Sequence, residues 1–229
     1  MPVSSLFTTI YNAPPAQRNF PVALASSLQM RSQVEKIALI ILAAGGSARL
    51  GRPKQLLQFR GRSLLRRTLD AALRSGCAPI ILVTGSRPDR IRAEADRSVI
   101  VTKNRQWRHG PGTSIRAGLR QAMRRDPIDA ALLCVCDQPF ISASLLRGMV
   151  RRFRAGGRSI VACRYDNTIG VPALFGRQWF NDLLNLDPDQ GAKAIIRRNR
   201  RHVAIIPFPK GGFDIDTPAD YDRLIEDGD

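Results

Sequence analysis

The chain has 229 residues and a formal net charge of +17, from 36 lysines and arginines against 19 aspartates and glutamates. Hydrophobic residues make up 44% of it, enough for one large α/β domain, and no apolar stretch approaches the ~18 residues of a membrane span. The basic residues are spread along the chain without an RNA-recognition, zinc-finger or basic-zipper signature, so we expect no specific nucleic acid and no membrane as partners. Small phosphorylated ligands remain candidate partners, because a basic surface attracts them.

The first 34 residues differ from the rest in composition. They contain no Asp or Glu and show no sustained periodicity, and their segment PVALASSL is too short for a secretory signal. We predict a disordered extension over residues 1–34 and a single domain over residues 35–229. Met30 opens MRSQVEKIALI and is a candidate for the true start; a natural N-terminus upstream of it would exclude that hypothesis.

Buried strands and amphipathic helices alternate in the prediction. Apolar, β-branched runs ended by turn residues indicate strands, and apolar residues at helical spacing indicate helices. In chain order they are strand 37–42, helix 63–75, strand 80–83, helix 88–95, strand 99–101, helix 113–124, strand 130–135, helix 142–154, strand 159–162, helices 177–186 and 190–199, strand 203–206 and helix 218–226. This alternation favours a three-layer α/β/α Rossmann-like fold with a mostly parallel sheet.

The cysteine pattern favours free thiols. Cys134 and Cys136 lie two apart on a predicted strand and therefore share a face, and no CxxC pair offers zinc ligands. Small buried thiols are typical of a reducing compartment, so we expect a cytoplasmic location.

A glycine-rich loop, LAAGGSARLGRPKQLL, follows the first strand. Its glycine spacing fits neither G-x-G-x-x-G nor GxxxxGK[ST]. Glycines let backbone N–H groups approach phosphate oxygens, Arg49 offers a bidentate grip, and Lys54 adds a point charge. We predict that the loop holds a triphosphate; an ordinary strand-to-helix turn is the alternative, and the cations disfavour it.

Carboxylates follow two later strands, at the sheet edge where ligands of such folds bind. Asp137 comes directly after the strand at 130–135, and Asp214 and Asp216 follow the last strand. Mg²⁺ takes one or two carboxylates plus waters and substrate phosphates, so one of this pair would join Asp137 as a ligand. Alternatively, Asp137 is a helix cap or part of a solvated turn, and DIDTPAD starts a helix with Thr217 as its cap. No Ser-His-Asp or Cys-His set presents itself, so the second substrate would supply the nucleophile.

These segments together resemble a known family. LAAGGSARLGRPKQLL, CDQP and DIDTPADY are similar to the MobA-like nucleotidyltransferases, and NRQWRHGPGTSIRAGL, GVPALFGRQWF and DQGAK favour the molybdenum cofactor cytidylyltransferase (MocA-like) branch. The resemblance implies a nucleotide-diphospho-sugar transferase-like fold. It also implies Mg²⁺-dependent transfer, with Mn²⁺ as the alternative ion, of CMP from CTP to the phosphate of a molybdopterin-type cofactor, with release of pyrophosphate.

The resemblance implies roles for particular positions. Arg49 and Lys54 would hold the triphosphate, and Asp137 and Asp216 would bind the metal. A larger set would contact the nucleotide and the acceptor: Leu42, Ala43, Ala44 and Gly45 at base and ribose, Gly46 beside them in the nucleotide-binding loop, Thr84 and Gly85 in the base pocket, Asn104 at the nucleoside, Gly112, Thr113 and Ser114 at the pterin phosphate, and Gly170–Pro172 with Gln190–Lys193 on the acceptor side.

Two departures from the family pattern leave the acceptor open. HGPGTS stands where relatives read close to EGMGSS, and Val171 stands where His or Asn often precedes the proline. The alternatives are GTP as donor, another phosphorylated acceptor, or a non-catalytic protein that delivers cofactor to a molybdenum hydroxylase apo-enzyme. LAAG, where guanylyltransferase relatives usually read LAGG, favours CTP. A nicotinamide-dependent oxidoreductase is disfavoured because the glycine spacing does not fit a dinucleotide loop.

Overall fold

A computed structural model describes residues 35–124 and 127–226. The predicted disordered extension and the proposed start at Met30 lie outside the described residues. Among those residues, no helix is long and apolar enough to cross a membrane.

A seven-stranded sheet, counted over the described residues, has the strand order β5-β4-β1-β6-β8-β7-β9. Its strands are β1 (Ile37–Ala43), β4 (Ile80–Thr84), β5 (Ile100–Lys103), β6 (Ala130–Val135), β7 (Ile160–Tyr165), β8 (Thr168–Gly176) and β9 (Val203–Pro207), and a separate ribbon pairs β2 (Gln58–Phe59) with β3 (Arg62–Ser63). Only β8 runs antiparallel to its neighbours within this described sheet. The carboxyl ends of β1, β4, β6 and β7 therefore share one edge, together with the amino end of β8.

Helices cover both faces of the sheet. They are α1 (Leu64–Leu73), α2 (Pro88–Ala93), α3 (Pro111–Met123), α4 (Ala143–Arg154), α5 (Phe180–Leu184), α6 (Lys193–Arg198) and α7 (Pro218–Glu226). Along β1, Leu39 and Ile41 pack with α1, α2 and α4, whereas Ala38 and Ile40 pack with α3, α5 and α6. Successive strand residues point to opposite faces, so one apolar strand serves two cores. The predicted three-layer α/β/α fold is confirmed.

Strand β8 is absent from the sequence prediction, although it lies inside the sheet, between β6 and β7. Its sequence, TIGVPALFG, contains two glycines and a proline, which are depleted in strands and normally indicate a turn. Its pairing with β6, Leu132 opposite Leu174 and Leu133 opposite Ala173, places these side chains in the core. Tertiary burial thus overrides a weak local preference.

All four cysteines are free and buried, as predicted. Cys134 and Cys136 pack in the same core, as their spacing required. Burial raises the pKa of both Cys136 and Cys163 to about 12, which keeps these thiols protonated and unreactive at neutral pH.

Candidate nucleotide-binding site

The glycine loop after β1 is held from below by a buried glutamine. Gln55 is only 2% exposed, and its Nε2 donates to Ala43 O (3.2 Å) and Gly45 O (2.9 Å). Ser47 adopts a left-handed conformation (φ 55°), and its Oγ accepts a hydrogen bond from Lys54 N (3.0 Å). These contacts fix the backbone of the loop before any ligand binds.

Four predicted residues meet at the mouth of this loop. Lys54 Nζ lies 2.5 Å from Asp137 Oδ2 and 3.0 Å from Asp216 Oδ1, so one ammonium group bridges two carboxylates. Arg49 Nη2 donates to the other oxygen of Asp216 at 2.7 Å. The side chains of Lys54 and Asp137 are 17% and 19% exposed, whereas that of Arg49 is 71% exposed. The result is a half-buried charge network with one exposed outer cation, Arg49.

The charges in this network stabilise each other. Burial alone would lower the pKa of Lys54, but the charges and hydrogen bonds of Asp137 and Asp216 outweigh it and raise that pKa above its usual value. Burial opposes ionisation of Asp216 too, yet Lys54 and Arg49 bring its pKa below the usual value. The ammonium and the Asp216 carboxylate are therefore both charged at neutral pH.

Asp216 is held in place by the start of α7 and by the core beneath it. Ile215 is fully buried, and its N–H donates to Asp137 O (3.2 Å). Asp220 accepts hydrogen bonds from Thr217 N (2.8 Å) and Asp216 N (3.2 Å), while its own N–H reaches Thr217 Oγ1 (3.3 Å). The predicted helix cap at Thr217 is confirmed, and it coexists with the position of Asp216 in the charge network.

Asp214, the other candidate ligand, lies outside that network. Although Asp214 as a whole residue is exposed, burial of its carboxyl group and repulsion by Asp137 and Asp216 raise its pKa to about 6. Within the described residues, Asp214 forms no ion pair with Lys54 or Arg49, in contrast to Asp216. The structure therefore favours Asp216 over Asp214 as the partner of Asp137.

The residues present fit a divalent cation. Asp137 Oδ1 is buried and has no hydrogen-bond partner within the described part of the chain, which leaves a carboxylate oxygen free to act as a ligand. No cluster of three or more His, Cys, Asp or Glu ligands occurs in residues 35–124 and 127–226. Two carboxylates with remaining ligands from water and phosphate are the arrangement that Mg²⁺ favours.

A pocket of about 390 Å³ opens beside the charge network. Seven of the predicted site residues line it: Leu42, Ala44, Gly45, Gly46, Lys54, Ser114 and Asp137. Trp107 and Arg108 also line it, and sequence reasoning missed both. The only signal was their place in the quoted segment NRQWRHGPGTS, where a single aromatic residue has no periodicity to reveal its role.

Trp107 lines the pocket and packs against two glycines that were predicted to belong to the nucleotide site. A Cβ on Gly85 would lie 2.7 Å from Trp107 Cβ, and one on Gly46 would lie 2.9 Å from Trp107 Cη2. Thr84 is 1% exposed and neither it nor Gly85 lines the pocket. The indole, with the Arg108 guanidinium 4.9 Å above its ring, forms the wall in their place.

The residues predicted for the nucleoside and for the pterin phosphate are largely occupied by protein contacts. Asn104 is 5% exposed, and its Nδ2 donates to Thr113 Oγ1 (2.8 Å) and Ser114 Oγ (3.0 Å). Gly112 N donates to Pro188 O (3.0 Å). Asn104 thus shapes the start of α3 from beneath the pocket, and of these residues only Ser114 reaches the pocket itself.

Residues 39–203 match the model of the MobA-like NTP transferase domain. The chain belongs to the MobA-like NTP transferase family. The predicted family and enzyme class are confirmed: this MobA-like protein is a nucleotidyltransferase.

Two curated relatives extend over nearly the whole domain. "Nicotine blue oxidoreductase" of Paenarthrobacter nicotinovorans is 34% identical over 199 residues, 81% of this chain and 95% of that protein. "Molybdenum cofactor guanylyltransferase" of Rhizobium meliloti is 30% identical over 192 residues, 79% of this chain and 87% of that protein.

Among solved structures, Rv0371c of Mycobacterium tuberculosis is 32% identical with a TM-score of 0.70, covering 83% of this chain and 98% of that one. Its complex with manganese has a TM-score of 0.67 at 30% identity, with the same coverage. These likenesses confirm the nucleotide-diphospho-sugar transferase fold for the MobA-like chain.

Proposed function

We propose that this MobA-like protein transfers CMP from CTP to the phosphate of a molybdopterin-type molybdenum cofactor, releasing pyrophosphate, with Mg²⁺ as the metal. One observation carries the proposal: a protonated Lys54 lies between Asp137 and Asp216 at the mouth of the glycine-loop pocket. The guanylyltransferase relative supports a molybdenum cofactor as acceptor, and LAAG in place of LAGG supports CTP as donor.

The proposed reaction needs no nucleophile from the protein. An oxygen of the acceptor phosphate attacks the α-phosphorus of CTP and forms a new P–O bond there. The bond between that phosphorus and the oxygen bridging to the β-phosphate breaks, and its electron pair leaves with pyrophosphate. The fixed ammonium of Lys54 neutralises charge on the triphosphate, and the exposed Arg49 adds a bidentate contact from the solvent side.

Asp137 and Asp216 are the residues that would hold the metal. A divalent cation bound there would supply further neutralisation of phosphate charge. The unpaired Oδ1 of Asp137 supports this assignment, and the manganese complex of Rv0371c makes Mn²⁺ the alternative ion.

Pyrophosphate release tests the proposal. Purified protein is incubated with molybdenum cofactor, Mg²⁺ or Mn²⁺, and CTP, GTP or ATP. We expect release that depends on both acceptor and metal and favours CTP by at least about tenfold, the effect of about 1.4 kcal/mol of differential binding. Absence of pyrophosphate release with all three nucleotides would contradict transferase function. A preference for GTP would identify GTP, in place of CTP, as the donor.

The same experiment separates a delivery protein from an enzyme. Cofactor bound tightly, with no nucleotide consumed, would favour the non-catalytic alternative that hands cofactor to a molybdenum hydroxylase apo-enzyme. Under the main proposal this apo-enzyme would receive the finished dinucleotide, in the cytoplasm. No membrane or nucleic acid takes part in the proposed reaction.

A second candidate, an oxidoreductase, is favoured by the 34% identity to nicotine blue oxidoreductase. The glycine spacing of the loop does not fit a dinucleotide fingerprint, and the charge network of Lys54, Asp137 and Asp216 suits phosphate rather than hydride transfer. Oxidation of a reduced nicotinamide dinucleotide, followed by absorbance with a dye as acceptor, separates the two. Turnover that persists in the Asp137→Asn variant would support the oxidoreductase.

A further inference from the structure

The two carboxylates assigned to the metal already contact cations of the protein. Lys54 Nζ lies 2.5 Å from Asp137 Oδ2 and 3.0 Å from Asp216 Oδ1. Arg49 Nη2 lies 2.7 Å from Asp216 Oδ2. Three of the four carboxylate oxygens are therefore engaged. The fourth, Asp137 Oδ1, is buried and has no hydrogen-bond partner within the described residues.

A metal ion that binds both carboxylates has to displace a protein cation. Both oxygens of Asp216 are engaged, so an ion held by one oxygen from each carboxylate shares an Asp216 oxygen with Lys54 or Arg49. Mg²⁺ lies about 2.1 Å from its oxygen ligands, which brings it close to the cation on the same oxygen. Like charges repel strongly at such distances in a half-buried site.

Lys54 is the cation that stands where the metal would lie. Its ammonium bridges the two carboxylates, as a bound ion would, whereas Arg49 contacts Asp216 alone. The side chain of Lys54 is 17% exposed, against 71% for Arg49, so solvent screens the charge of Lys54 less. The competition with a metal ion therefore falls mainly on Lys54.

The ammonium can move, whereas the carboxylates are held in place. Ile215 N donates to Asp137 O (3.2 Å), and Asp216 N donates to Asp220 Oδ2 (3.2 Å), so the two carboxylate-bearing segments are tied together through their backbones. Lys54 carries its charge on a flexible four-carbon stem and lines the glycine-loop pocket. It can therefore turn toward phosphate oxygens in that pocket while its backbone stays in position.

We propose that Lys54 is an internal competitor of the metal ion, whose ammonium holds the position between Asp137 and Asp216 until a triphosphate draws it away. The free protein then binds a divalent cation weakly, and the protein with a triphosphate in the pocket binds it tightly. The inference rests on the proposed function for the identity of the metal-binding pair. It adds an order of events, in which the metal is retained only together with the nucleotide.

Binding of Mn²⁺ to the full chain, without nucleotide or acceptor, tests the competition. Equilibrium dialysis compares the wild type with Lys54→Met and Lys54→Gln. Arg52→Met is the matched control, because it removes the same charge from the same loop at a guanidinium that lies over the Tyr221 ring at 5.0 Å. We expect the Kd for Mn²⁺ to fall at least about tenfold in both Lys54 variants and to stay at the wild-type value in the control.

Further variants locate the effect. Adding Asp137→Asn to Lys54→Met should abolish the gain in affinity. Mn²⁺ should also raise the melting temperature of Lys54→Met more than that of the wild type, because a tighter ligand stabilises the folded state more. An unchanged or higher Kd in the folded Lys54→Gln variant would overturn the proposal. A gain in Arg49→Met as large as that in Lys54→Met would overturn it too.

Nucleotide tests the second half of the proposal. The dialysis is repeated with CTP or GTP at the same free Mn²⁺ concentration, and without acceptor, so that no transfer takes place. We expect the wild type to retain Mn²⁺ at least about tenfold more tightly with nucleotide, and Lys54→Met to gain much less. No gain in the wild type with either nucleotide would overturn the part played by the triphosphate. Absence of pyrophosphate release in the transfer assay would refute the proposed function, whereas the nucleotide-free titration still decides whether Lys54 competes with the metal.

Discussion

Charge is arranged differently at two places along the same sheet edge. Around the glycine loop, Arg49 and Lys54 are paired with Asp216 and Asp137, at 2.5 to 3.0 Å. In the cavity between the β7–β8 hairpin and α6, the lining contains one carboxylate and four cations, and none of these cations forms an ion pair within the described residues: Arg164, Lys193, Arg197 and Arg200. Paired charges fix the positions of side chains before a substrate arrives. Unpaired cations, in contrast, can attract a bound anion. The formal net charge of +17 therefore indicates less about function than whether each charged side chain is paired with an opposite charge.

The largest effect should come from the metal-site carboxylate on the paired side. Asp137→Asn keeps the shape of the side chain but removes its charge, and we expect kcat/KM for nucleotidyl transfer to fall by about 1,000-fold, with the melting temperature changed by only a few degrees. Asp222→Asn, on the exposed part of α7, is the matched control. Near-wild-type turnover by Asp137→Asn would remove this residue from the catalytic machinery.

A smaller, graded effect should distinguish the inner cation from the outer one. Lys54→Met is expected to lower kcat by about 100-fold, because a half-buried ammonium cannot be replaced from solvent, whereas Arg49→Ala should raise KM for the nucleotide by only about tenfold. Arg52→Ala is the control, since this guanidinium lies over the Tyr221 ring at 5.0 Å. Initial-rate kinetics measure the order of these effects. Equal losses of activity in Lys54→Met, Arg49→Ala and Arg52→Ala would contradict the predicted order.

The pocket wall offers a third test. Trp107→Leu keeps an apolar side chain against Gly46 and Gly85 but removes the ring, and we expect KM for CTP to rise about tenfold. The chain has two tryptophans, so Trp179→Phe leaves Trp107 as the only indole. CTP should quench the fluorescence of Trp179→Phe, and the KM of this variant for CTP should equal that of the wild type. An unaltered emission spectrum at saturating CTP would place the nucleotide elsewhere.

The smallest expected effect is on stability. Since the folded-state pKa of Asp214 is about 6, above the unfolded value of about 4, the folded state binds more protons between these pH values. The free energy of unfolding should therefore fall as pH rises from about 4 to about 6. Asp214→Asn should remove that fall and gain about 1 kcal/mol at pH 7, a figure reduced for solvent exposure.

Urea unfolding in the presence of a chelator, at pH 4.5 and pH 7, measures this difference between Asp214→Asn and the wild type. Parallel pH profiles for the two proteins would show that Asp214 titrates normally. The repulsion that Asp214 feels from Asp137 and Asp216 would then be weaker than the geometry indicates.

Much of the site was predictable because its residues follow strands. Up to 162 residues separate Lys54, Asp137 and Asp216 along the chain. Each of them nevertheless follows a strand of the parallel sheet, and the carboxyl ends of these strands lie at one edge. Such edges collect ligand-binding side chains, so spacing and residue type were enough to select these residues. Arg49 and the loop glycines followed from the same reasoning. The residues alone left Asp214 and Asp216 open as the partner of Asp137, and the family resemblance implied Asp216. In the structure, the buried Ile215 and the capped start of α7 place Asp216 beside Lys54.

The sequence by itself determined the alternation of elements, the glycine loop after β1, and the cations and carboxylates that follow the strands. These features depend on neighbours along the chain and on strand direction. Only the tertiary structure decided that β8 lies between β6 and β7, that Trp107 packs against Gly85, and that Asn104 supports α3. It also brought four cations from separate segments into one cavity: Arg164 of β7, Lys193 and Arg197 of α6, and Arg200 of the turn after α6. Packing between distant segments sets these contacts, and no local pattern records which segments will meet.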